Sequence, residues 1–151
     1  MQPLTLEEFA DKINETVPLL VKEFFKQQAG DWYKEKITLP QFLTLSFLHQ
    51  AGECRMKDLA SSMKVSTAAM TGIVERLVRD GYAVRKYDKT DRRVIRMGLT
   101  AKGIALVKKI NEQRRAMVID IFGKLSEADR QDYIRILTQI REILRANGKH
   151  K

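Results

Sequence analysis

The feature of this sequence that most constrains its fold is a change in hydrophobic period after Gly81. Before this glycine, apolar residues recur at steps of three and four, which is the spacing of one helix face. After it, residues 82–87 and 93–99 are predicted to be strands, because apolar and polar side chains alternate in the second of them. The polar residues 88–92 between them predict the loop of a hairpin. The helical spacing then returns, so the chain is expected to be mainly α (α+β), with one two-stranded hairpin.

Capping signals predict helices on both sides of this hairpin. Thr5 and Glu8 have the spacing of a capping box, and Pro18 lies inside the apolar stripe that follows, where it is expected to kink or split the helix. The other predicted elements are a helix that starts after Thr38 and ends at Gly52, a short helix over residues 57–63, a turn at 64–65, a helix from Ser66 to Asp80, and two helices capped by Thr100 and Ser126.

The charge of the chain is unevenly distributed. The 151 residues carry a formal net charge of +9. Residues 52–103, which include the predicted hairpin, hold twelve basic and six acidic side chains. Such clustering favours a polyanionic partner, with nucleic acid ahead of a membrane surface.

Composition argues against several other classes of protein. The single cysteine, Cys54, cannot form an internal disulfide, and no Cys/His cluster has the spacing of a metal site. No apolar run approaches the ~18 residues of a transmembrane helix, and the first residues lack the pattern of a signal peptide. Gly-rich phosphate loops, nucleophile elbows and metal-binding His pairs are also absent from the sequence, which argues against an enzyme. We expect a cytoplasmic protein of one domain, residues 1–151, without a metal or cofactor.

The predicted elements of residues 37–100 follow the order of a winged helix-turn-helix core. In the helix from Ser66 to Asp80, the side chains of Met70, Ile73 and Leu77 are expected to face inward. Small and hydroxyl-bearing side chains on the outer face would let this helix enter a DNA major groove about 12 Å wide. The alternative is an ordinary solvated face. The candidate DNA contacts on this helix are Ser66, Thr67, Ala68, Thr71, Arg76 and Arg79.

The predicted hairpin tip carries three further candidate DNA contacts, Lys89, Arg92 and Arg93. Arginines on an exposed loop suit a narrow minor groove, where negative potential is concentrated. These residues favour a DNA-binding protein. The alternative is a winged-helix module that binds another protein without sequence-specific DNA binding.

Residues 91–103, Asp-Arg-Arg-Val-Ile-Arg-Met-Gly-Leu-Thr-Ala-Lys-Gly, resemble the wing signature of the MarR (multiple-antibiotic-resistance regulator) family, in which Asp-x-Arg precedes Leu-Thr-x-x-Gly. Residues 39–42, Leu-Pro-Gln-Phe, and the helix-turn-helix segment also match, and the resemblance covers essentially the whole chain. It implies a homodimeric DNA-binding transcriptional regulator, often a repressor released by a small ligand or by oxidation. It also implies that Arg93 enters the minor groove and that Asp91 braces it through an ion pair. On the residues alone, the pair could do no more than hold the turn together.

The terminal segments, residues 5–35 and 101–146, are expected to be dimerisation helices that flank the core. Their apolar stripes provide more surface than one winged domain can cover. Pairing with a second copy would cover this surface and place two recognition helices about a two-fold axis, which implies an inverted-repeat operator on double-stranded DNA. The alternative is a helix layer within one chain.

Three side chains are candidates for a pocket that holds a small aromatic effector. Trp32, Tyr33 and His49 lie near the junction of the dimerisation helices and the core, where members of the family bind aromatic or phenolic ligands. Packing alone is the alternative for each of them. Cys54 is expected to be an inert, packed residue, because relatives that sense peroxide typically have their cysteine in the first helix.

Overall fold

The computed structural model describes residues 3–35 and 37–148, except for the side chains of Phe25 and of residues 27–35. In chain order the elements are α1 (Leu6–Glu35), α2 (Leu39–Ala51), β1 (Cys54–Arg55), α3 (Met56–Ser62), α4 (Thr67–Arg79), β2 (Ala83–Tyr87), β3 (Ile95–Leu99), α5 (Ala101–Phe122) and α6 (Glu127–Asn147). The mainly helical α+β class with a winged helix-turn-helix core is confirmed. The chain forms two compact units, Met1–Glu112 and Gln113–Lys151. That residues 1–151 act as one domain stays a prediction.

Side-chain caps fix where the helices begin, as the sequence predicts. Thr5 Oγ1 accepts a hydrogen bond from the N–H of Glu8 at 3.2 Å, and Glu8 Oε2 accepts one from the N–H of Thr5 at 2.9 Å. Thr38 and Gln41 form the same reciprocal pair at the start of α2. Each pair satisfies two backbone donors that a helix start leaves without partners. Ser66 precedes α4 and Ser126 precedes α6, and the side chain of each serine accepts a hydrogen bond from a backbone N–H in the first turn of its helix.

Pro18 does not split the first helix, and the other expectation, a kink, stays a prediction. Helix α1 continues without interruption on both sides of Pro18. Proline lacks the N–H that would bond to the carbonyl of Asn14. Both residues are exposed, so water can donate to this carbonyl and the helix continues.

The hydrophobic core of the first unit lies between the helix-turn-helix and the sheet. Burying one large apolar side chain contributes ~1.5–3 kcal/mol, so this cluster holds α4 firmly against the strands. The fully buried side chains come from α2, α3, α4, β3 and α5, and they include Phe42, Leu45, Leu48, Leu59, Met70, Val74, Leu77, Met97 and Val107.

A third strand, which the sequence pattern does not predict, completes the sheet. β1 pairs antiparallel with β3, with Cys54 opposite Met97 and Arg55 opposite Arg96. β2 pairs with the other edge of β3, so the strand order is β1-β3-β2. A strand of two residues is too short to show alternation, and hydrophobic periodicity could not reveal it. β2 and β3 begin one and two residues later than predicted.

A tight corner joins the wing to the helices on either side of it. Gly81 has a φ of +79°, in the left-handed region that glycine occupies without strain. Thr100 Oγ1 donates to the carbonyl of Gly81 at 2.6 Å and accepts from the N–H of Gly103 at 3.0 Å, which caps α5 as predicted. A Cβ atom at Gly103 would overlap the carbonyl oxygen of Tyr82. The backbone of α5 at Gly103 therefore lies so close to the start of the wing that only a residue without a Cβ atom fits there.

The second unit contains the end of α5 and all of α6. The ring of Phe122 lies 5.1 Å from that of Tyr133, centroid to centroid. Arg130 Nη1 donates to the carbonyl of Leu125 at 2.5 Å, close to the start of α6. Every side chain of α6 is exposed, although the helix carries the predicted apolar stripe of Tyr133, Leu137, Ile140 and Leu144.

Replacing Gly103 with alanine is expected to lower the free energy of unfolding by about 1–3 kcal/mol, because the new methyl group overlaps a backbone oxygen that cannot rotate away. The measurement is urea unfolding followed by circular dichroism. Gly72→Ala is the matched control. Its Cβ meets nothing within 4 Å, and alanine inside a helix should raise stability by about 0.5–1 kcal/mol. Wild-type stability of Gly103→Ala would contradict the close approach of α5.

Candidate nucleic-acid interface

Helix α4 has one buried face and one exposed face. Met70, Val74 and Leu77 are fully buried, and Ile73 is half-buried. The sequence prediction counted Ile73 as an inner residue and omitted Val74. Ile73 packs against the core as predicted, and the structure adds Val74, because the fully buried positions step by four and then by three residues from Met70. Of the predicted contact residues, Thr71 is half-buried, and those that are exposed are Ser66, Thr67, Ala68, Arg76 and Arg79.

The hydroxyl groups at the start of α4 differ in what they can offer a DNA base. Ser66 Oγ accepts a hydrogen bond from the N–H of Ala69 at 3.1 Å and so serves as the helix cap. Thr71 Oγ1 donates its proton to the carbonyl of Thr67 at 2.8 Å, which leaves Thr71 with an acceptor oxygen and a methyl group. Within the described part of the chain, the Thr67 hydroxyl has no hydrogen-bond partner. Thr67 is therefore the hydroxyl best able to donate to a base edge or phosphate.

A groove of about 670 Å³ lies between the exposed face of α4 and the start of α2. Thr38, Pro40 and Gln41 line it from α2, and Arg76 and Arg79 line it from α4. Arg79 Nε lies 3.2 Å from the carboxylate of the neighbouring Asp80, whereas Arg76 has no ion pair among the described residues. The groove thus holds the side chains of Arg76 and Arg79 at the edge of the exposed helix face, together with that of Glu75.

The tip of the wing is the loop between β2 and β3, and it exposes three cations. Lys89, Arg92 and Arg93 are all exposed. No ion pair within residues 3–35 and 37–148 involves any of the three. Their charges are therefore available to an external anion.

Asp88 organises this loop and was not identified from the sequence. Its Oδ1 accepts hydrogen bonds from the hydroxyl of Thr90 at 2.6 Å and from the N–H of Thr90 at 2.9 Å. Its Oδ2 accepts from Arg96 Nε at 2.6 Å across the hairpin. The bonds from Thr90, and then that from Arg96, hold the pKa of the Asp88 carboxyl well below its usual value. Because this pKa is lowered by folding, the carboxylate stabilises the wing at any pH above its ordinary value of about 3.9, and loses this effect as the pH falls below it.

Asp91 braces the wing differently from what the family resemblance implied. Its Oδ1 accepts a hydrogen bond from the backbone N–H of Arg93 at 2.9 Å. The expected ion pair between the two side chains is not formed in the described structure. The turn is fixed through the backbone, and the guanidinium of Arg93 is left without an acidic partner among the described residues.

A second acid neutralises the outer face of the sheet. Arg55, Arg96 and Lys86 lie opposite one another on β1, β3 and β2, which places three like charges in one row. Such a row is repulsive unless it is compensated. Asp88 pairs with Arg96, and Glu53 pairs with Lys86, whose ammonium group lowers the pKa of Glu53. Both ion pairs depend on the register of the strands, which no local sequence pattern reveals.

The residues proposed for an effector pocket are only partly described. His49 is exposed in the last turn of α2. The side chains of Trp32 and Tyr33 lie outside the described residues, so the effector pocket stays a prediction. Cys54 is half-buried against the core, and burial raises the pKa of its thiol, which disfavours the reactive thiolate.

No group of three or more His, Cys, Asp or Glu side chains within residues 3–35 and 37–148 could hold a metal ion. Among the helices described, none combines the length and apolar character needed to cross a membrane.

Comparison with known proteins identifies the family. The MarR family model matches residues 37–95, which run from two residues before α2 to the first residue of β3. A MepR-like protein, solved as a complex with pseudoligands, is 30% identical to this chain, covers 89% of it and matches over 94% of its own length, with a TM-score of 0.59. The chain belongs to the MarR family.

Of two further relatives, one is named as a transcriptional repressor and the other was solved bound to DNA. The HTH-type transcriptional repressor Mb2911 of Mycobacterium bovis is 27% identical over 104 residues, which is 69% of this chain and 75% of the relative. A variant of S. aureus MepR bound to an oligodeoxyribonucleotide is 25% identical, with a TM-score of 0.63, and the match covers 87% of this chain and 97% of that one. The chain spans 64% of the length of the first curated relatives it matches.

Asp88→Ala is expected to speed amide hydrogen exchange at Thr90 by about ten- to a hundredfold, because a hydrogen bond to a charged acceptor contributes ~1.5–3 kcal/mol. Asp91→Ala should instead speed exchange at Arg93, whose N–H it binds. The measurement is exchange by NMR at pH 7 on both variants. Unchanged protection of Thr90 in Asp88→Ala would show that Asp88 does not organise this MarR-family wing.

Proposed function

We propose that this protein is a sequence-specific DNA-binding transcriptional regulator, and a repressor, which binds an inverted-repeat operator on double-stranded DNA as a homodimer. The proposal rests on how charges are arranged at the wing tip. Lys89, Arg92 and Arg93 have no acidic partner in the described structure, while Asp88 and Asp91 hold the loop that presents them. A fixed loop with unpaired cations loses little entropy when it binds an anion.

The recognition helix and the wing divide the work of binding. The exposed Thr67 and Ala68 of α4 are small enough to approach base edges in a major groove, where a methyl group can contact thymine. Arg93 of the wing tip reaches the neighbouring minor groove, and Arg92 beside it meets a phosphate. Arg76 and Arg79 meet phosphates beside α4. The DNA-bound MepR variant and the repressor name of Mb2911 support DNA binding and repression by this chain.

Exposed apolar helix faces support the homodimer. In α1, Phe9, Ile13 and Leu20 are 42–52% exposed, and in α6, Leu137 and Ile140 are 41–47% exposed. Exposed apolar stripes of this length mark surfaces that another protein covers. A second copy of the chain would bury them and place two copies of α4 on one face of the DNA.

A small aromatic effector that releases the DNA is the remaining part of the proposal. Its pocket would involve Trp32, Tyr33 and His49, and the relative solved with pseudoligands supports ligand binding by this fold. No resident cofactor is proposed. The regulator would act in the cytoplasm, where it meets its operator, and the relatives named as transcriptional regulators favour this activity over that of an enzyme.

Arg93→Ala is expected to weaken binding to a DNA site selected from a random library by about 1–3 kcal/mol per protomer, the cost of one good base contact. Arg92→Ala, which removes a predicted phosphate contact, should weaken selected and random DNA equally and reduce the salt slope. The measurement is fluorescence anisotropy at two salt concentrations, with thermal melts to show that each variant is folded.

Arg141→Ala is the charge-matched control, since it removes an exposed arginine that belongs to α6 and not to the wing or the recognition helix. Its affinity for the selected site should stay at the wild-type value. If Arg93→Ala bound the site as tightly as wild type, the wing would be structural only. Failure of the wild type to bind any duplex would favour the protein-binding alternative.

The homodimer is tested by changing one apolar residue of α6. Sedimentation equilibrium at micromolar concentration should give about twice the chain mass of 17.4 kDa. Ile140→Lys should shift the protein toward the monomer, because it buries a charge in the proposed interface. Gln139→Lys introduces the same charge at the neighbouring position and should remain dimeric. A well-behaved wild-type monomer would contradict the proposal.

A further inference from the structure

The two faces of the wing hairpin have different chemistry. Side chains alternate between the faces of a sheet. One face carries Cys54, Ala83, Met97 and Leu99, which all lie in the core or pack against it. The other face carries the compensated charge row of Arg55, Arg96 and Lys86. The first face is therefore the one that lies toward the helix-turn-helix.

Tyr87 and Ile95 continue the core-facing side of the hairpin beyond the point where the helices cover it. They are directly opposite each other on β2 and β3. Tyr87 is 72% exposed and Ile95 is 41% exposed. Their side chains thus form a small apolar step on the surface, immediately before the cationic loop of the wing tip.

A contact with the recognition helix shows which way this step faces. Arg85 is two residues before Tyr87 and shares its side of β2. Its Nη2 lies 3.9 Å from Oε1 of Glu75 on the exposed part of α4. Arg85 and Tyr87 therefore form a strip that leads from the recognition helix to the wing tip, over about 6.8 Å of strand between the two residues.

The fold itself does not use the phenol group of Tyr87. Its hydroxyl has no hydrogen-bond partner among the described residues, and its ring lies outside the core cluster. By contrast, Tyr82 at the start of the wing is buried within that cluster. Tyrosine hydroxyls are among the groups that bind phosphate oxygens in protein–DNA complexes.

We infer that Tyr87 contacts the DNA backbone between the major groove that receives α4 and the minor groove that receives the wing tip. Its hydroxyl donates a hydrogen bond to a phosphate oxygen, while its ring and the side chain of Ile95 pack against the adjoining deoxyribose. Arg85 supplies the charge for the same stretch of backbone when it leaves Glu75. This inference rests on the proposed DNA-binding function.

The charges around the step favour DNA as its occupant. Arg85 lies on one side of Tyr87, and Lys89, Arg92 and Arg93 lie on the other. An apolar step between cations matches a nucleic-acid strand, in which sugars alternate with phosphates. A protein partner with an acidic surface is the competing occupant, and the experiment separates the two.

The test compares Tyr87→Phe with wild type in fluorescence anisotropy on a selected DNA site and on random duplex, over a series of salt concentrations. Phenylalanine keeps the ring and its cross-strand contact with Ile95 but removes the hydroxyl. We expect Kd to rise by about fivefold per protomer on both DNAs, the effect of one net hydrogen bond. The salt slope should not change, because no charge is removed. Arg85→Gln should lower the slope by about 0.9 for each phosphate that residue 85 no longer neutralises.

Ser61→Ala is the control for loss of a hydroxyl, since Ser61 is exposed on α3, outside the recognition helix and the wing. It should bind with the wild-type Kd, and thermal melts should show all variants folded. Wild-type affinity of Tyr87→Phe, in a protein that binds DNA, would overturn this inference alone and leave the surface to a protein partner. Absence of DNA binding by the wild type would overturn the proposed function, and this inference with it.

Discussion

Strand β3 is paired on both of its edges, and the position of the wing depends on this. On one edge it bonds to β1, which leads directly into the helix-turn-helix, and on the other to β2, the outer strand of the wing. Met97, in the middle of β3, is fully buried among the helices. Without this strand, α4 and the wing tip would be joined only by flexible loops. With it, α4 and the wing tip keep a fixed separation, which the proposed reading of adjacent grooves requires.

The charges of the wing are divided between structure and binding. Acidic residues neutralise the cations that lie within the sheet, as Asp88 does for Arg96 and Glu53 does for Lys86. The acid at the tip, Asp91, binds a backbone N–H instead and leaves the neighbouring guanidinium groups without an ion pair in the described part of the chain. The acids thus reduce repulsion within the sheet, while the wing tip presents cations that have no ion pair among the described residues where the proposed DNA would lie.

Local sequence signals predicted the helices well, because each cap involves residues only three positions apart, such as Thr38 and Gln41. They failed where the structure depends on strand register or on contacts across a loop. The short strand β1 has no visible period, and the pair of Asp88 with Arg96 spans eight residues of a turn. The prediction of an ion pair between Asp91 and Arg93 was wrong, because the Asp91 carboxylate accepts a hydrogen bond from the backbone N–H of Arg93 instead. The exposed face of α4 could be predicted from the helical period. The sequence could not show that the Thr71 hydroxyl donates its proton to the carbonyl of Thr67 in the same helix.

The central claim is that two copies of a rigid helix-and-wing unit read one duplex about a two-fold axis. Hydroxyl-radical footprinting of the wild-type protein on a site selected from random DNA tests it most directly, because this probe reports minor-groove access. For the proposed dimer we expect two half-sites about 10–10.5 base pairs apart, centre to centre, arranged as an inverted repeat. Each half-site should be flanked by a protected minor groove. A footprint without a dyad, or one in which the flanking minor grooves stay accessible, would contradict it.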